Sequence, residues 1–303
     1  MTELLRALAV LAEPPGPEAE RIARVLGLRW SPSRADYTNL FQLELPPYAS
    51  VYLGDEGQLG GEARDRVAGF WRAVGLVPPS EADHLAALLG LYAAVAETDP
   101  SAENAVSDTA SQSGAGSGEP GVRHRVQRAV LWEHVLSWVS VYAEKAMEIA
   151  PAPYRRWAAL LDEALVAEAQ RLPSEGLVPL HLRVAGPLAD PREEGLEPFL
   201  ASLLAPVRSG IVLTRADLVR AARELGLGLR VGERRFTLRA LFAQDAVAML
   251  GWLASEAESW GARHRRHGDA LASVGDVWAE RAERAVSLLR ELAETTTKEV
   301  VGV

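Results

Sequence analysis

Cysteine is absent from the 303 residues, which excludes every disulfide and every thiolate metal site. Such a chain suits a reducing compartment. Methionine is scarce, at three, and aromatic residues make up only 6%. Positive charge is outnumbered: 32 Lys and Arg stand against 41 Asp and Glu, a net charge of -9. This excludes a general nucleic-acid binder, whose surface must be basic to pair with phosphates. An acidic surface keeps a protein in solution, and it also attracts basic peptide segments. No uncharged apolar run reaches the roughly 18 residues that a membrane span requires. The opening stretch, MTELLRALAVLAEPPGPE, carries an acid at Glu3 and lacks the basic region and small-residue cleavage site of a secretory signal. Together these absences point to a cytoplasmic protein without membrane insertion. Phosphate loop, nucleophile elbow and HExxH are missing too, so no cofactor is expected and catalysis has no positive support.

What is abundant is Ala, Leu, Glu and Arg, all good helix formers. Hydrophobic residues at 48% and charged residues at 24% are ordinary for a globular chain. An all-α fold is therefore expected. Thr2 is placed to cap a first helix ending near Ala12, where Pro14, Pro15 and Gly16 follow. Further helices are read at Pro17 to Leu26, at Ser33 to Leu45 with Ser33 as cap, and at Glu62 to Val74 before Gly75. Ser80, Glu81, Ala82 and Asp83 form a capping-box pattern, with Asp83 bonding back to the Ser80 amide. The helix that follows carries two apolar ridges, His84, Leu88, Leu91, Val95 and Leu85, Leu89, Tyr92, so it should be largely buried. Thr98 to Gly121 is poor in large apolar residues and reads as a disordered linker.

Beyond it, Val122 to Ile149 is one helix with Leu131, Val135, Trp138 and Tyr142 at helical spacing, and His134 among them is a structural histidine. Tyr154 to Gln170 is the next. Residues 173–191 are rich in Pro and Gly and mark a boundary. The remainder holds a capping box at Thr214 to Asp217, a small hairpin at Leu229 to Phe236, a long helix to Ala262 and a final helix from Asp276 to Glu294. The cluster Arg263, His264, Arg265, Arg266 and His267 reads as a solvated helix end, since its arginines would repel a metal cation.

The most informative stretch is Asp36 to Ala96. It concentrates the scarce aromatics, at Tyr37, Phe41, Tyr48, Tyr52, Phe70, Trp71 and Tyr92. Tyr37 and Phe41 are four apart and share a helix face. The stretch reads as the wall of a groove. Two carboxylates beside an aromatic trough can accept charged hydrogen bonds from a basic, partly apolar peptide. Asp83, with Asp36 or Glu44, supplies the first; Tyr37, Phe41, Tyr52 and Trp71 supply the second.

The order of its motifs resembles the TorD/DmsD-type chaperones. Tyr37, Leu40 and Phe41 come first, then Ser50 to Leu53, then the Gly-rich turn from Gly54 to Gly61. Phe70, Trp71, Gly75 and Leu76 follow, then Glu81, Asp83, His84 and Leu85. Later come Glu133, His134 and Trp138, and Pro153, Tyr154 and Trp157. The resemblance covers residues 1–173, with one departure: Ala82 stands where the family has proline. It implies a TorD-like helical bundle, in two parts (1–97 and 122–173) joined by the linker 98–121. The linker is compatible with exchange of halves in a homodimer and equally with packing within one chain. Residues 174–192 are then a second linker and 193–303 an additional C-terminal helical module. The implied function is binding of the twin-arginine signal peptide of a molybdenum-cofactor oxidoreductase precursor until that client matures. Tyr37, Phe41, Tyr52, Trp71, Asp83, His84 and Leu88 are the candidate contacts. Two other readings stay open: a scaffold whose C-terminal module binds a partner, and an enzyme using Asp83 and His84 as a proton-transfer pair.

Overall fold

The computed structural model describes residues 1–55, 57–97, 119–230 and 232–301. Most of the expected linker 98–121 lies outside them. Among the described residues the fold is helical throughout, with no strand and a single isolated bridge.

The first part comprises α1 (Thr2–Leu11), α2 (Pro17–Val25), α3 (Arg34–Tyr37), α4 (Ala49–Leu53), α5 (Gly61–Ala73) and α6 (Leu85–Glu97). Thr2 is the first helical residue of α1 rather than its cap, and Met1 holds the cap position with no side-chain bond. Ser33 caps α3 in a reciprocal box with Asp36, as its spacing predicts. α3 then widens into a π-helix over Thr38–Glu44, closed by a bond from the Leu45 amide to the Leu40 carbonyl at 2.7 Å. The widening keeps Tyr37 and Phe41 together, with ring centroids 5.0 Å apart.

From residue 119 onward come α7 (Glu119–Ala129), α8 (Val139–Ile149) and α9 (Ala152–Arg171). The single helix expected up to Ile149 is thus two, separated by a π-helix at Val130–Leu136 and a break at Trp138. The break frees two carbonyls, and side chains take them up. The Ser137 hydroxyl donates to the Glu133 carbonyl at 2.9 Å and the Trp138 indole to the His134 carbonyl at 2.9 Å.

α1 packs on α6 and α8 on α9, and the Trp157 indole donates to the Leu8 carbonyl at 3.0 Å. Aromatic rings fill the centre. Tyr52 stacks on Trp138 at 5.1 Å, and Phe41 meets Tyr154 and Trp157 edge-on at 4.9 and 5.7 Å. Each such pair contributes about 1 kcal/mol beyond its buried area.

The remaining helices are α10 (Leu180–Val184), α11 (Pro191–Glu194), α12 (Leu196–Leu203), α13 (Pro206–Ser209), α14 (Arg215–Leu225), α15 (Arg234–Phe242), α16 (Ala246–His264) and α17 (Ala272–Val301). Thr214 and Asp217 form the expected capping box, and Gly226 closes α14 in the left-handed region. Where a hairpin was expected near Gly232, α15 begins at Arg234. The long helix is likewise interrupted, because the Asp245 carboxylate accepts from the Ala248 amide and starts α16 afresh. α16 and α17 pair closely, and both bear on the first part of the chain: the Trp278 indole donates to the Ser137 carbonyl at 3.0 Å. The buried apolar side chains form one cluster from Leu5 to Leu292.

The basic run at the end of α16 is not simply solvated. Arg263 pairs with Glu148 at 2.5 Å, Arg265 with Glu283 at 2.7 Å, and Arg266 with Glu144 and Asp162. His267 lies 3.1 Å from Asp162. His264 is buried between Trp260 and Trp278 and bonds the Gly210 carbonyl at 2.8 Å. Acids brought in from α8, α9 and α17 make the difference, and none of them is near in sequence.

Candidate functional site

The Pro46–Pro47 turn runs beside the segment that leads into α6. There the backbone makes the isolated antiparallel bridge between Tyr48 and His84. The Ala49 amide donates to the Asp83 carbonyl at 3.0 Å and the Leu85 amide to the Pro47 carbonyl at 2.8 Å. Asp83 and His84 turn to different partners.

Asp83 points inward. Its Oδ2 accepts from the Ser50 amide at 3.1 Å, and only 1% of the residue is exposed. Ser50 is the second residue of α4, whose own N-cap, Tyr48, supplies no side-chain bond. Asp83 thus caps α4 from a distance instead of bonding Ser80 at its own helix start, and α6 begins only at Leu85. The capping-box reading fails because residues 80–83 form a turn, and a free helix amino end lay closer in space. The Ser50 hydroxyl accepts in turn from the Gly60 amide at 3.0 Å, which fastens the Gly-rich turn to the same point.

His84 is buried too, at 6% exposure, and meets other partners. Its ring meets Tyr48 edge-on at 4.8 Å, and Nδ1 accepts from the Ala86 amide at 3.2 Å. Glu13 Oε1 lies 3.6 Å from the same nitrogen. Burial lowers the His84 pKa, while Glu13, Glu81 and Asp83 pull the other way. Tyr37 is pushed up to about 12 by burial and by the charges of Glu13 and Glu81. Tyr48 is raised by burial, then by Glu81 and Asp83. Three carboxylates thus converge on two half-buried phenols and one imidazole. Among the described residues, none of the three is paired with an arginine or lysine.

Of the seven candidate contacts, this patch brings together Tyr37, Asp83 and His84. Phe41, Tyr52 and Leu88 are buried, at 2%, 1% and 0% exposure, and belong to the core. Trp71 stands half-buried on α5, with no ring contact to the patch among the described residues. Asp36 is engaged in its own capping box, and Glu44 accepts from the Ala216 amide at 3.0 Å. Glu13 and Glu81 were missing from the candidate contacts. Glu81 could have been found from its place beside Asp83 and His84; Glu13 is 71 positions from His84, and nothing local marks it.

Residues 17–144 match the family described as nitrate reductase delta subunit, a span that includes Tyr37, Tyr48, Glu81, Asp83 and His84. That segment is similar to the family. Its members are chaperones of molybdoenzyme maturation, of the same TorD type whose motifs the segment resembles, and they are not catalysts. The delta-subunit segment makes up less than half of the chain, and Glu13 lies just outside it. No curated protein and no solved structure matches the chain. Among the described residues no helix is long and apolar enough to cross a membrane, and no group of side chains is arranged to hold a metal ion.

Proposed function

We propose that this chain is a cytoplasmic chaperone that holds the precursor of a molybdenum-cofactor oxidoreductase by its twin-arginine signal, with the patch around Tyr48 and His84 as the contact. The observation that carries the reading is the set of three carboxylates without a basic partner beside two phenols. A guanidinium accepted there gains charged, forked hydrogen bonds from Glu13 or Glu81. The faces of Tyr37 and Tyr48 offer cation–π contact. Asp83 contributes its field and holds α4 in place, and the buried Phe41, Tyr52 and Leu88 belong to the core. Micromolar affinity requires about -8 kcal/mol, within reach of two or three such anchors.

The reading is tested by titrating the full chain with a labelled twin-arginine leader and with the same peptide bearing two lysines. Tighter binding of the arginine form is expected, because a lysine cannot fork between carboxylate oxygens. Equal affinity for both peptides, or none for either, would overturn the assignment.

A further inference from the structure

A second concavity shares no residue with the acidic patch. It lies between Gly57 and Gln58, the end of α12 at Ala201 and Leu204, and the start of α15 at Glu233, Arg234 and Arg235, with a volume of about 440 Å³. This is within the range of small-molecule sites. Only Gly57 and Gln58 belong to the delta-subunit segment; the rest comes from the C-terminal extension.

Its charge is unexpected for a chain with more acids than bases. Arg234 is half-buried and donates to the Leu213 carbonyl at 2.9 Å and more weakly to the Gly57 carbonyl at 3.5 Å. Burial lowers its pKa and Arg215 adds to the effect, with Tyr52 and Glu44 opposing. Arg235, beside it, is exposed. Among the described residues no carboxylate lies within ion-pair distance of either guanidinium. Carbonyls satisfy some of the Arg234 N–H groups, yet they leave its charge without a counter-ion, which is costly away from water. The amino end of α15 adds partial positive charge, and no side chain caps it. Among the described residues Glu233 is the one acid lining the cleft, beside two arginines.

We propose that this cleft binds a small molecule through a phosphate group, which pairs with Arg234 and Arg235 and with the uncapped amides of α15. Phosphate fits better than carboxylate because donors approach from two guanidinium groups and a helix end, and three terminal oxygens can answer them where two cannot. The remaining volume takes the body of the ligand against Ala201 and Leu204.

The experiment is isothermal titration of the full chain with pyrophosphate, inorganic phosphate and citrate at matched ionic strength. Saturable binding of pyrophosphate in the millimolar range or tighter is expected, with citrate weaker. Arg235→Gln alters an exposed side chain and should leave the melting temperature unchanged while weakening pyrophosphate about tenfold, the cost of one charged hydrogen bond. Arg234→Lys keeps the charge but loses the fork, and should weaken binding as well. Absence of saturable binding, citrate binding as tightly as pyrophosphate, or unchanged affinity in Arg235→Gln would each overturn the proposal.

Discussion

The Lys145 ammonium donates to Asp217 Oδ1 at 2.7 Å, with 0% and 2% of the two side chains exposed. Lys145 lies on α8 and Asp217 in the first turn of α14, so the pair bridges the chaperone-like part and the extension. Asp217 Oδ2 also accepts from the Thr214 amide and hydroxyl, both at 2.8 Å. Burial opposes ionisation of this carboxyl, but Lys145 and Thr214 outweigh it and hold the pKa below the ordinary value. Removing one partner leaves Lys145 with the half-exposed Glu148 alone, or Asp217 with Arg220 alone, which costs about 3 kcal/mol. Urea unfolding of Lys145→Met and Asp217→Asn should show losses of this size, and the double variant should lose less than the sum.

Truncation is a second check. A chain ending at residue 173 loses Asp217 and also Trp278, whose indole satisfies the Ser137 carbonyl. The apolar surface under α16 and α17 would then face water. The fragment should bind a hydrophobic dye and aggregate; a stable, soluble fragment would mean that the extension is dispensable for folding.

Gly210 permits a close backbone approach to α17. Its φ is +73°, and a Cβ there would lie 2.3 Å from the Ala282 amide nitrogen on α17. Neither the dihedral nor the backbone of a long helix can yield cheaply. Gly210→Ala should lower stability by about 3 kcal/mol or more, measured by thermal or urea unfolding, whereas Gly69→Ala, with open space at its Cβ, should not.

Acid should destabilise the protein well before its carboxylates titrate. Burial lowers His134, His181 and His264 to about 4 each. Their folded pKa values lie below the unfolded one, so the unfolded chain takes up the protons first. Stability is complete above about pH 6.5 and is lost as pH falls towards 4, by about 2 kcal/mol per histidine at pH 5. The urea midpoint should drop between pH 7 and pH 5, and His264→Gln should flatten that slope.

Binding at the acidic patch offers a direct contrast between core and contact. Glu81→Gln should weaken the twin-arginine leader several-fold at unchanged melting temperature, with the difference shrinking at high salt. Tyr52→Ala should instead cost about 3–5 kcal/mol of stability, because its ring is interior against Trp138.

Local chemistry was the legible part. Pro17, Ser33, Gly75, Thr214 and Gly226 mark helix ends where they are found, since a cap or a left-handed turn acts within four residues. The π-helices were not legible, because one extra residue in a turn leaves no compositional trace. Nor was the partner of Asp83: a carboxylate at a helix start looks the same whether it caps its own helix or, as here, one that begins 34 positions earlier. The Glu13–His84 approach depends on α1 lying against α6, which is tertiary information.

The Lys145–Asp217 pair has a consequence for how the chain is made. The partners are 72 positions apart, and Trp278 follows Ser137 by 141. At about 5–20 residues per second, the ribosome delivers Asp217 roughly 4–14 s after Lys145. During that interval Lys145 has only Glu148, 3.1 Å away on its own helix, to answer its charge. The first half reaches its final packing only when synthesis is nearly over, and so for several seconds the growing chain offers unfinished surface to whatever is nearby.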